Sequence, residues 1–263
     1  MAHSSSTTDH EPGEAMASPR ARLLEAHRRL CETFGCPIAY FHAHGPLDEL
    51  VSSLLSHRTR NADSARAFRN LRERFPDWAA VRDAPVEAVQ DALQPCTWPE
   101  AKAPALQRIL QLITGRRGAL DLDHLAGMPV PEARAWLESL PGVGPKTSAA
   151  VLSFSALRLR ALPVDSHHHR VAQRLGIIPE TMAVGPSHAV MEDMLPPEWD
   201  AQKVYDHHEV LMLHGQRVCH FRAPACARCV LLDICPTGRA RSRAAPQPAA
   251  RGHALEGGAG PLG

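Results

Sequence analysis

Cys219, Cys226, Cys229 and Cys235 form a C-x6-C-x2-C-x5-C run, four thiols within seventeen residues. Four thiolates can enclose one metal centre. They suit a [4Fe–4S] cluster, in which each iron takes one protein sulfur. They also suit a four-cysteine zinc site, although zinc ribbons usually carry two C-x2-C knuckles. Here one knuckle is flanked by single cysteines at uneven distances. The spacing favours iron–sulfur and leaves zinc open. No disulfide is expected: the other three cysteines (Cys31, Cys36 and Cys96) are scattered and the total of 7 is odd.

A second run, Leu140 to Thr147, reads L-P-G-V-G-P-K-T. Gly142 and Gly144, on either side of Val143, permit positive φ and close backbone approach. Pro145 suits a first helical turn. Free N–H groups and a positive helix end then face outward, an arrangement that suits a phosphate. Lys146 falls in that first turn, where the helix end and burial both disfavour its charged form. Its amine can bind phosphate, or, when neutral, act as a nucleophile. Nineteen residues on, Asp165 in V-D-S-H can cap a helix. His167, His168, His169, His207, His208 and His214 invite a metal reading, but packing and hydrogen bonding are expected of them.

The elements that must carry these residues are helical. PEARAWLESL puts Ala133, Trp136, Leu137 and Leu140 on one face before the Gly-rich turn, and KTSAAVLSFSAL follows it. Ser18-Pro19 opens an earlier helix and Gly35 closes it. Leu47, Leu50, Val51, Leu54 and Leu55 have half-buried helical spacing. Asn61 is expected to cap the next helix. Further helices fit 78–82, 86–93, 99–114, 121–126, 131–140, 145–156, 166–175, 186–194 and 201–213. No period-2 strand is evident, so the fold class is all-α.

Composition sets bounds. The 263 residues, 44% hydrophobic with twelve aromatics, can bury a core built of Leu, Ala and Val. The net charge of +1 decides nothing about nucleic acid. Only Lys102, Lys146 and Lys203 are lysines, which singles out the one in the Gly-rich turn. No apolar run reaches the length of a membrane span, and the first twenty residues lack the apolar stretch of a secretory signal. A reducing cytoplasm and no membrane partner are the expectations. Residues 1–17 and 238–263 are expected to be disordered, the latter a basic tail with Arg239, Arg241, Arg243 and Arg251 against Glu256.

L-P-G-V-G-P-K-T, then V-D-S-H-H-H-R-V, then H-H-E-V-L-M-L-H-G-Q-R-V-C running into the cysteines together resemble the helix-hairpin-helix DNA glycosylases, endonuclease III most of all. The resemblance covers roughly residues 47–236. It implies a two-lobed fold: a helical barrel lobe over 47–158 holding the hairpin, and a cluster lobe built from 18–46 and 159–237. It implies a [4Fe–4S] cluster on Cys219, Cys226, Cys229 and Cys235, and double-stranded DNA with damaged bases or abasic sites as partner of a monomer. It implies that Lys146 attacks sugar C1′ and Asp165 assists, in a base-excision glycosylase with β-elimination lyase activity, oxidised pyrimidines being the expected target. Gly142, Val143 and Gly144 would meet DNA phosphate, with Arg222, between the first two cysteines, nearby. The gap left by an extruded base is filled in the family from loops that correspond to Ser56–Asn61 and Pro95–Ala103. Arg58 stands where the family usually has glutamine and Trp98 near an aliphatic wedge, so their gap-filling role and the base itself stay open; Trp98 could equally belong to the core. Alternatives are a lyase for another modified base, a monofunctional mismatch glycosylase, against which Lys146 argues, and a non-catalytic DNA-binding protein, against which Lys146 and Asp165 together argue.

Overall fold

A computed structural model describes residues 18–244, and every regular element in it is helical. In chain order the α-helices are α1 (Pro19–Phe34), α2 (Pro46–Ser56), α3 (Asn61–Arg74), α4 (Trp78–Asp83), α5 (Val86–Ala92), α6 (Pro99–Arg117), α7 (Val130–Glu138), α8 (Pro145–Phe154), α9 (Ser166–Arg174), α10 (Val184–Met194), α11 (Ala201–Arg217) and α12 (Pro236–Ala244). The all-α expectation holds.

Local signals account for most boundaries. The Ser18 hydroxyl accepts from the Ala21 N–H at 3.1 Å, Pro19 sits in the first turn of α1, and Gly35 closes the helix at φ 81° with its N–H on the Cys31 carbonyl. Four expectations need correction. Asn61 is the first residue of α3 and not its cap, which is Arg60 with no side-chain bond. The segment expected to be helical over 121–126 is a 3-10 turn, Asp123–Gly127, anchored by buried Leu122 and Leu125. Residues 238–244, expected to be disordered, belong to α12, where Gly238 is buried. Arg239, Arg241 and Arg243 therefore ride on a helix. The disorder expected over 1–17 and 245–263, with Arg251, falls outside the described residues. Finally, Cys31 and Cys36 are joined by a disulfide. The turn at Gly35 reverses the chain just past the helix end and brings the two residues to a Cα separation of 5.0 Å.

Two hydrophobic cores organise these helices. The first draws on α2 through α8 and runs from Leu47 to Ala161. The second joins Leu23, Ala26 and Leu30 of α1 to residues between Leu162 and Ile234. A small cluster of Ala150, Phe154 and Tyr205, flanked by Ile38 and Tyr40, bridges α8 and α11. The chain crosses between the cores twice, at residues 35–45 and 155–161. The crossings are tied together: the Ala156 N–H donates to the His44 carbonyl at 2.8 Å, and Arg158 Nη2 donates to the His42 carbonyl at 2.9 Å. The Arg158 guanidinium also lies 3.3 Å over the Tyr40 ring.

Candidate active site and cysteine centre

The turn between α7 and α8 carries the first group. Gly142 takes φ 77°, the left-handed conformation that costs glycine nothing. Gly144, expected to share that freedom, is at φ −109° and serves as N-cap of α8 with no side chain to satisfy the helix N–H groups. A Cβ on Gly142 or on Gly144 would meet nothing within 4 Å, so the space beside both is open for an outside group. Val143 between them is buried and plugs the turn into the first core. The hairpin is clipped from behind by the Ser148 hydroxyl, which donates to Glu138 Oε1 at 2.6 Å.

Lys146 follows in the first turn of α8, half-buried. Burial lowers its pKa from the ordinary lysine value, while Glu49 and then Asp165 pull it back up. The net direction is downward, toward a neutral amine. The lysine belongs to a helix of the first core, and one of its two carboxylates comes from the second. Asp165 is the N-cap of α9, its Oδ1 accepting from the His168 N–H at 2.7 Å. Two buried histidines brace the segment that delivers it. His208 Nδ1 donates to the Pro163 carbonyl at 2.8 Å. His188 Nε2 accepts from the Val164 N–H at 3.1 Å while its Nδ1 faces the Val184 carbonyl at 3.0 Å, which fixes the tautomer.

Sequence reasoning missed two acids here. Glu49, buried on α2, acts on Lys146. Glu209, buried on α11, has its pKa pushed up to about 7 by burial, then by Asp165 and Asp206. Glu49 lies in no motif, and Glu209, although inside the H-H-E-V-L-M-L-H-G-Q-R-V-C run, carries no chemical signal in the sequence.

The remaining histidines pack or bond. His167 Nδ1 accepts from Arg170 Nη2 at 3.1 Å, and His169 Nε2 meets the Met182 carbonyl at 2.9 Å. The fully buried His168 and His207 rings meet edge to face at 5.2 Å. Gly215 of α11 lets α9 approach: a Cβ there would lie 2.8 Å from His167 Cβ.

Arg58 and Trp98 sit on neighbouring loops. Both take positive φ, 52° and 55°, which non-glycine residues seldom adopt and which clusters at functional sites. Trp98 is 51% exposed, so it is not a core residue, and the Arg58 guanidinium lies 5.8 Å from its ring centroid. Lys102 holds the two loops together, its ammonium donating to the Leu55 and His57 carbonyls and to Thr59 Oγ1 at 2.7, 2.9 and 2.8 Å. The loop is also bound to α8, where His57 Nε2 and Thr147 Oγ1 are 2.9 Å apart.

The four clustered cysteines are free and line one cavity against the second core, together with Arg174, His214 and Gly238. Arg174 Nη1 donates to Cys219 Sγ and the Gly238 N–H to Cys235 Sγ, each at 3.2 Å. A Cβ on Gly238 would meet Leu232 Cδ1 at 3.1 Å and Cys235 Sγ at 3.3 Å, so a side chain there would crowd the cysteine unless its neighbours gave by a few tenths of an ångström. Burial pushes the Cys229 thiol up to about 11 and raises Cys235. Four thiolates here therefore need a compensating cationic centre, and the N–H donors aimed at sulfur fit one. Arg222 is exposed in the loop between Cys219 and Cys226.

The sequence matches the family model described as "HhH-GPD superfamily base excision DNA repair protein" over residues 51–196. It is 34% identical to "Putative DNA glycosylase At3g47830" of Arabidopsis thaliana over 66% of this chain, and spans 57% of that protein's length. It is 29% identical to endonuclease III of Escherichia coli strain K12 over 82% of this chain and 95% of the relative. The fold superposes on a trapped endonuclease III–DNA covalent intermediate with a TM-score of 0.71 at 23% identity, covering 85% of this chain and 99% of that one.

Proposed function

The chain belongs to the HhH-GPD superfamily of base excision DNA repair proteins, and on that premise we propose that it is a bifunctional DNA glycosylase and abasic-site lyase acting on damaged bases in duplex DNA. The observation that carries this reading is Lys146, a lysine in a helix first turn whose pKa burial lowers while the charges of Glu49 and then Asp165 pull it back up. Attack by its neutral Nζ on sugar C1′ breaks the glycosidic bond and releases the base. Asp165 stabilises the positive charge that grows on the sugar as the bond lengthens. Nζ loses its protons as the ring opens, leaving a Schiff base. Loss of a C2′ proton then expels the 3′ phosphate by β-elimination, and water hydrolyses the imine to free Lys146.

The target base must leave the stack to reach Nζ. Gly142 and Gly144 leave open space for a phosphate on either side of Val143, which is buried with its N–H on the Leu140 carbonyl and holds the turn in place; a phosphate contact there fixes position without reading sequence. Arg58 and Trp98, exposed and paired, are placed to fill the vacated space, Trp98 by stacking on the partner base. Oxidised pyrimidines are the proposed substrate class. Cys219, Cys226, Cys229 and Cys235 would hold a [4Fe–4S] cluster, which supplies a rigid cross-link for the second core. Arg222 is proposed as a phosphate contact beside it.

Borohydride trapping tests the proposal. Wild-type protein should form a covalent adduct with duplex DNA bearing an oxidised pyrimidine or an abasic site. Lys146→Ala and Lys146→Gln should abolish the adduct and still bind DNA. Persistent trapping by Lys146→Ala would place the nucleophile elsewhere. Excision without trapping or nicking would make the protein a monofunctional glycosylase.

A further inference from the structure

His42, His44 and Glu49 form a second cluster of ligand-type side chains, remote from the cysteine centre and in no motif named above. The two histidines are separated by one residue in the first crossing. Their rings stack face to face, 3.8 Å between centroids and 15° between planes. Both turn toward one carboxylate oxygen: Glu49 Oε2 is 3.0 Å from His42 Nε2 and 3.9 Å from His44 Nδ1. The other oxygen, Oε1, accepts from the Ser53 hydroxyl at 3.0 Å. Glu49 is only 3% exposed. Its Oε2, with Nδ1 of both histidines, is buried and lacks a hydrogen-bond partner among the described residues. Buried polar atoms of this kind are costly, and Glu49 Oε2 and His44 Nδ1, 3.9 Å apart with His42 Nε2 beside the same oxygen, call for a shared partner.

We propose that His42, His44 and Glu49 form a binding site for a divalent transition metal of the zinc class. Two imidazoles and one carboxylate are a zinc-type ligand set, and imidazole disfavours calcium or magnesium. The three ligand atoms lie within 4.8 Å of one another. Zinc bonds of about 2.0–2.1 Å in a tetrahedron put ligands roughly 3.3 Å apart, so closure shortens the widest separation by up to about 1.5 Å and turns the two stacked rings apart to aim both lone pairs at the ion. The surroundings are preorganised. Ser53 orients the carboxylate, the His42 and His44 carbonyls are fixed by Arg158 and Ala156, and the His44 ring lies on Phe68 at 5.0 Å. Three protein ligands leave a fourth position for water. A bound ion would fasten the first crossing to α2 through Glu49, the carboxylate whose charge also acts on Lys146.

An ion pair between a protonated His42 and Glu49 is the competing account, and zinc binding separates the two. Zinc should be titrated calorimetrically into the full chain with its cysteine centre loaded. One saturable site per chain is expected, weakened on the order of 100-fold in His42→Ala, His44→Ala and Glu49→Gln. No saturable site in the micromolar range, or unchanged binding in all three variants, overturns the proposal. X-ray absorption at the zinc edge of the wild-type complex needs no variant. A shell of nitrogen and oxygen supports the site, and a sulfur shell refutes it by placing the ion on the cysteines.

Discussion

Asp165 has two separable jobs, and two substitutions divide them. Its Oδ1 caps α9 through the His168 N–H, and its charge acts on Lys146. Asparagine caps about as well as aspartate, whereas alanine cannot, at a cost of about 1 kcal/mol. For a chain of this size that is a fall in Tm of roughly 2–4 °C. Asp165→Ala should show that fall and Asp165→Asn little of it. Both should lose base excision by about 10²-fold, some 2.7 kcal/mol of transition-state stabilisation. A pre-formed abasic site behaves differently, because no base has to leave and only the amine must be neutral. Asp165 raises the Lys146 pKa, so removing its charge lowers that pKa further. Below its pKa the reactive fraction of the amine then grows. The acid limb of the trapping rate should move to lower pH in Asp165→Asn, while Glu49 keeps the shift from being complete. Single-turnover excision and trapping across pH, with thermal unfolding, read all three quantities. A limb moving to higher pH, equal Tm losses in both variants, or undiminished excision would each refute the assignment.

Other expectations follow from the same geometry. Cys219→Ser or Cys229→Ser should give poorly soluble protein without the yellow-brown absorption of a four-iron centre, whereas Cys96→Ser keeps the colour; stoichiometric zinc in colourless wild type would exclude the cluster. Cys31→Ser and Cys36→Ser should also keep the colour but lose about 2 kcal/mol under oxidising conditions only, the amount expected from so small a loop; urea unfolding with and without reductant tests this. Gly215→Ala should cost about 1–3 kcal/mol, since its Cβ would meet His167 Cβ at 2.8 Å and the His167 carbonyl at 3.1 Å. A bulky residue at Gly144, which faces open space, should spare the fold and weaken binding to all DNA sequences alike. Burial holds His27 neutral down to a pKa of about 4. Its contribution is complete above the unfolded value near 6.5 and is lost as pH falls toward 4, about 2 kcal/mol by pH 5; His27→Leu should flatten that part of the stability profile.

What the sequence disclosed was local. Ser18, Pro19 and Gly35 act within a turn of their own helix, and L-P-G-V-G-P-K-T encodes its hairpin in adjacent residues. Pairings made only in three dimensions stayed hidden. Nothing near Leu23 or Leu30 says that they pack on residues beyond 161, and resemblance alone suggested it. Cys31 and Cys36 looked scattered because their closeness depends on the reversal at Gly35. Glu49 and Glu209 were not singled out in the sequence; what marks them is burial together with electrostatic coupling, Glu49 to Lys146 and Glu209 to Asp165, a property of helices packed across two cores. Gly144 illustrates the converse. Its type was conspicuous, but the presumed reason, positive φ, was wrong, and the open space beside it explains the missing side chain better.

The division of the chain between its two cores sets a timetable for synthesis. Residues 46–161 are contiguous, so the first core can close as soon as they leave the ribosome. Helix α1 emerges earlier and must wait, since its partners start at Leu162 and end at Ile234. At about 5–20 residues per second, the roughly 74 residues from Leu162 to Cys235 take some 4–15 s. Throughout that interval Leu23, Ala26 and Leu30 stand without their core, and the last of the four clustered cysteines arrives only at its end. Among the described residues, the earliest helix is among the last to be buried, which leaves its Leu23, Ala26 and Leu30 face open to misassociation while the nascent chain lengthens.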